Sequence, residues 1–169
     1  FMPYQFERLG ASPTEFGLWF SLTSIGYIIG NIVSNRYSSW LGLERFSLLG
    51  CSWCLLSIAL MFLSEIPLIS TPLTLASACF MFGLGNGLIL ANVLVLALSS
   101  VKQKCVASAS GLLGAMQMFC GAILGSLIVF LGGDSDFSLS LFVLFTLSIF
   151  SILCCYRGGL SSKILRSKC

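Results

Sequence analysis

Apolar residues run along this chain in long blocks separated by short polar breaks, and the blocks rather than any alternation within them organise it. Stretches without a single Asp, Glu, Lys or Arg cover residues 16–35, 46–64, 66–101, 105–133 (its basic neighbour is Lys104) and 137–156. Each reaches the roughly 20 residues an α-helix needs to cross a bilayer. The third is too long for one helix, but Pro67 and Pro72 belong to its entry loop, which moves the start of the span to about residue 73. Backbone polar groups in hydrocarbon must be satisfied within the segment, which selects helices. The pattern therefore predicts an all-α, polytopic membrane helix bundle. It forms a single transmembrane unit over residues 1–169, with spans at about 16–36, 46–64, 73–99, 106–131 and 137–156 and a tail at 157–169.

The breaks alternate in their basic residues. On one side stand Arg8 before the first span, no basic residue around Glu65, and none around Asp134 and Asp136. On the other stand Arg36 and Arg45, then Lys102 and Lys104, then Arg157, Lys163, Arg166 and Lys168. The basic-rich side is expected in the cytoplasm, with the C-terminus, because Lys and Arg resist translocation while Asp and Glu contribute little. The opening FMPYQF is apolar but far too short to span. It reads as the end of a sixth helix, so the chain is expected to be the C-terminal part of a longer protein, either a fragment or a truncated product.

Composition agrees with lipid as the main solvent: 57% of the 169 residues are hydrophobic and 9% are charged, with a mean hydropathy of +0.99. A soluble domain carries about a quarter charged residues. No basic stripe with interleaved aromatics points to nucleic acid. Histidine is absent, which removes the commonest metal ligand and the usual general base at neutral pH. No paired carboxylates lie in the spans, so an enzyme is not expected, and neither is a metal or cofactor. Of the eight cysteines, Cys51 and Cys54 form a C-x-x-C that has the spacing of a redox or metal motif. It lies in an apolar span with no basic neighbour, where the expected role is that of small packing hydrophobes.

Polar residues within the spans are the candidate sites. Gly17, Ser21, Ser24, Asn31 and Asn35 share one face of the first span, Ser77, Gly85, Asn92 and Ser99 one face of the third, and Ser110, Gly114, Gln117, Gly121 and Gly125 one face of the fourth. Amides in hydrocarbon are costly without partners or a wet cavity. Asn86, Asn92 and Gln117 therefore mark either a substrate cavity or hydrogen bonds between helices. Gly83, Gly85 and Gly87, with Gly114, Gly121 and Gly125, are helix-packing or hinge candidates. No ionisable residue lies inside a span, so any group that couples transport to protons must lie elsewhere.

The entry F-E-R-L-G-A-S-P-T-E-F-G-L-W-F, with Gly10, Ser12, Pro13, Phe16, Gly17 and Leu18, resembles the junction of the seventh and eighth helices in the major facilitator superfamily. The likeness is to the bicyclomycin-resistance type of drug/proton antiporter. The segment carrying Ala109, Ser110, Gly111, Gln117 and Gly121 resembles its eleventh helix. Two departures stand out. Ala91 precedes Asn92 where that group has proline, and Arg36, Arg45 and Glu44 make a thin version of its basic inner loop.

The resemblance implies the C-terminal half of a rocking-bundle carrier whose partners are a small-molecule substrate, protons, the lipid bilayer and an N-terminal half. Tyr4, Ser21, Ser24, Met81, Asn92 and Gln117 are the expected cavity-lining residues. Export of drugs or amphipathic metabolites by proton antiport at the inner (plasma) membrane is the implied function. The alternatives are an uptake carrier of the same fold or a non-transporting truncated membrane protein.

Overall fold

The computed structural model describes residues 2–66, 70–99, 101–131 and 137–166, with the side chains of residues 2, 4 and 158–166 excepted. Helices account for almost all of the described chain and no strand occurs among the described residues. In order they are α1 (Met2–Arg8), α2 (Pro13–Leu41), α3 (Leu43–Leu63), α4 (Pro72–Ser99), a 3-10 turn (Gln103–Cys105), α5 (Val106–Phe130) and α6 (Phe137–Arg166). Five are long and apolar enough to cross a membrane. α2 and α6 continue beyond the apolar limits read from the sequence, because backbone hydrogen bonding carries on where the side chains have become polar. The turns with Asp134 and Asp136, and Pro67, lie outside the described residues.

Local chemistry sets the joints. α1 closes through a left-handed Gly10 (φ +80°). The Gly10 amide donates to the Glu7 carbonyl at 2.9 Å and the Ala11 amide to the Phe6 carbonyl at 2.9 Å, which is the Schellman arrangement. Two residues later Ser12 opens α2 with a reciprocal cap. Its amide donates to Glu15 Oε2 at 2.7 Å, its hydroxyl accepts from the Glu15 amide at 3.3 Å, and Pro13 fills the first turn, where its missing N–H is not needed. Gly42 then separates α2 from α3 with φ +87° and ψ 142°, a backbone region that side-chain-bearing residues avoid.

α4 is the centre of the bundle, with α2 on one flank and α3 on the other, while α6 packs on α3. A buried apolar cluster ties one end together: Phe6 of α1, Met61 of α3, Leu75, Ala78 and Cys79 of α4, and Phe137 and Leu141 of α6. Phe62 and Phe145 meet edge to face at 6.3 Å across the α3–α6 contact. α5 stands apart, with Ile128 its one buried residue; Met118 is 77% exposed and Phe130 88%.

Small residues explain why α2 and α4 lie so close. Gly26 and Gly30 of α2, and Gly83 and Gly87 of α4, form two facing G-x-x-x-G pairs. A Cβ on Gly26 would fall on the Phe80 carbonyl oxygen, one on Gly30 on that of Leu84, one on Gly83 on that of Thr23, and one on Gly87 on that of Tyr27. Without a strong hydrophobic drive between helices in lipid, such backbone approach is a principal source of association. Gly85, turned the other way, meets Cys54 and Gly50 of α3. The three alternating glycines of α4 thus serve two neighbours at once.

Candidate functional site

Two clefts open on the same stretch of α4. The larger, about 380 Å³, lies between α2 and α4 and is lined by Thr23, Ser24, Tyr27, Ile28, Phe82, Gly83 and Asn86. These residues recur at three- and four-residue steps, so each helix turns one face into the cleft. The smaller, about 220 Å³, lies between α3, α4 and α6 and contains Cys51, Cys54, Ile89, Leu144, Ser148 and Ser151. Phe82 and Asn86 line both clefts and form the ridge between them. The Asn86 side chain is exposed and makes no hydrogen bond among the described residues.

The lining of the α2–α4 cleft combines two aromatic rings, three hydroxyls and one amide, without a charge. That mixture suits contact with an amphipathic or uncharged polar molecule: the rings and Ile28 offer apolar area, while Ser24, Tyr27 and Asn86 offer donors and acceptors. The Thr23 hydroxyl is buried, with the Cys79 thiol of α4 as its neighbour.

The residues singled out in the sequence separate into groups. Ser24 lines the cleft, and Ser21 lies one turn away on α2, exposed, with its hydroxyl donating to the Leu18 carbonyl at 2.6 Å. Met81 is half-buried on α4 and lines neither cleft. Asn92 is 2% exposed, and its amide donates to Ser34 Oγ at 2.8 Å and to the Leu88 carbonyl at 2.6 Å, joining α4 to α2. Gln117 is exposed on α5, away from both clefts, and the Tyr4 side chain lies outside the described residues. Gly83, Gly85 and Gly87 sit in helix contacts, whereas Gly114, Gly121 and Gly125 have nothing within 4 Å of where a Cβ would stand.

Sequence reading missed Thr23, Tyr27 and Phe82, which have no signal of their own in an apolar span. It also missed Gly26-x-x-x-Gly30 and the S-P-T-E capping box, both of which a search for those spacings finds.

The family model for the Major Facilitator Superfamily matches residues 1–166. The chain belongs to this superfamily. Comparison with curated proteins and with solved structures returned no match. Membership accounts for the multi-pass helical bundle just described. Superfamily members are transporters, not enzymes, and the chain is a membrane transport protein. Among the described residues no group of three or more metal-ligating side chains gathers.

Proposed function

We propose that this superfamily member forms one wall of the substrate pathway of a secondary-active carrier, and that the cleft between α2 and α4 is the surface on which substrate rests. The observation that carries the reading is the uncharged, mixed aromatic and hydroxyl–amide lining, with Asn86 unpaired on the ridge. A buried or lipid-facing amide without a partner is costly, and a passing substrate supplies what the helices do not. Apolar and aromatic area with few charges favours amphipathic molecules, and export of drugs or metabolites follows as the direction. Proton antiport requires an ionisable group in the pathway. The spans described here contain none, so that group belongs to a facing N-terminal half. The free circumference of α5 supports such a half, since an apolar helix with an uncovered small-residue face packs closely once a neighbour arrives.

The membrane is the inner (plasma) membrane in this reading, with the basic tail in the cytoplasm. The test is accumulation of a panel of amphipathic fluorescent compounds in cells expressing the full-length protein. The expected result is lowered accumulation of some compounds, restored when the proton gradient is collapsed and when Asn86 is replaced by Ala. Unchanged accumulation of every compound, with the protein present in the membrane, overturns export.

A further inference from the structure

The C-x-x-C of α3 does not act as a pair: its two thiols face different helices. Cys54 points toward α4, its sulfur 3.8 Å from the Phe82 carbonyl oxygen. Cys51 points toward α6, where its sulfur lies 3.9 Å from that of Cys155 and 3.4 Å from the Ser151 hydroxyl. Cys51 and Cys155 are 104 positions apart in sequence, so the contact comes from the fold and not from local helix geometry. Cys51 is 2% exposed, whereas Cys155 is half-buried and lies two positions before Arg157. All the cysteines of the described residues are free thiols.

We infer that Cys51 and Cys155 form a disulfide-forming site that ties α6 to α3 when the membrane meets a permeant two-electron oxidant. The sulfurs need to approach by about 1.9 Å to reach bonding distance, a movement within the reach of side-chain torsions. In the reaction both S–H bonds break and the sulfur–sulfur bond forms. The two electrons and two protons pass to the oxidant, reducing a quinone to a hydroquinone or a diazene to a hydrazine. Burial of Cys51 restricts the oxidant to molecules that enter the bilayer. Cys54, held against Phe82 and packed on Gly85, is the wrong way round to compete. The site is independent of the proposed transport pathway, because neither sulfur lines the α2–α4 cleft.

The experiment uses the full-length protein in native membranes, treated with diamide as the diazene probe, then denatured, alkylated with N-ethylmaleimide and digested without reduction. The expected outcome is the loss of two alkylatable thiols and a linked peptide joining the segment of Cys51 to that of Cys155, both reversed by dithiothreitol. The same link is expected in a Cys54→Ala, Cys154→Ala variant. It should be absent from Cys155→Ala, which leaves the buried face of α3 intact. A link from Cys51 to Cys54 or Cys154 overturns the inference. So does full alkylation of both cysteines while other thiols are consumed, or a loss that dithiothreitol fails to reverse.

Discussion

Asn86 and Asn92 are six residues apart along α4 and have opposite surroundings, so one residue type serves two purposes. Asn92 is buried and spends both donors on Ser34 and the Leu88 carbonyl. Asn86 sits exposed on the ridge between two clefts. Replacing Asn92 by Ala removes the bond to α2 and leaves Ser34 unpaired. We expect the full-length protein to lose about 1 kcal/mol, within the range for hydrogen bonds between membrane helices, read from unfolding in mixed micelles. Asn86→Ala is expected to change stability by less than about 0.5 kcal/mol, as for exposed positions generally. It should instead lower transport of any substrate that uses the cleft. If both variants unfold earlier and transport normally, Asn86 is a structural residue and the cleft is not the pathway. The sequence placed both amides on an apolar helix but did not separate them. Helical spacing gives an angular position, and only the placement of α2 decides that one amide meets Ser34 and the other meets open space.

At the scale of elements, glycine sets how close α2 and α4 come, and its effect is position-specific. Gly83→Leu would drive a side chain into the backbone at Thr23. The two helices must then separate, with a cost of about 1–3 kcal/mol or failure to assemble, as for other overpacked contacts. Gly114→Leu, in an α5 position with nothing within 4 Å, is expected to leave the stability of these helices unchanged. Its effect should appear only when the whole carrier is assayed, as a loss of assembly or transport. Unfolding of both variants, followed in detergent, checks the difference; equal losses would mean that α5 is packed more closely than this arrangement has it. Gly42→Ala puts a side chain into the backbone conformation between α2 and α3, and about 1–3 kcal/mol of strain is expected. The existence and order of the five long helices were legible in charge-free apolar blocks, since length and hydropathy alone decide spanning. The partners of each helix were not legible. A hydropathy block is much the same whether its helix is central like α4 or uncovered like α5, and the distinguishing marks are single glycines whose meaning depends on what faces them.

For the molecule as a whole, one orientation ties every loop to a side, because the helices alternate direction through the bilayer. Arg36, Arg45, Lys102 and Arg157 fall at one set of helix ends, and Glu15 and Glu65 at the other. The orientation proposed above puts the first set in the cytoplasm, as the positive-inside rule would have it. In a full-length variant with Cys169 as its one cysteine and the others replaced by Ala, a membrane-impermeant maleimide is expected to leave Cys169 unlabelled in intact cells. It should label Cys169 in inverted vesicles. The reverse pattern would turn the whole bundle over. The cap at Ser12 and Glu15 would then face the cytoplasm, and the end of α3 that carries Cys51 would face outward. That second result would also change the redox argument, because Cys155 would stand at the outer edge, where oxidants arrive without crossing the membrane. The cytoplasmic placement instead leaves the Cys51–Cys155 pair on the reducing side. There the link forms only while oxidant delivered through the lipid outpaces the thiol pool, and a brief exposure followed by washing should show the two thiols returning without added reductant.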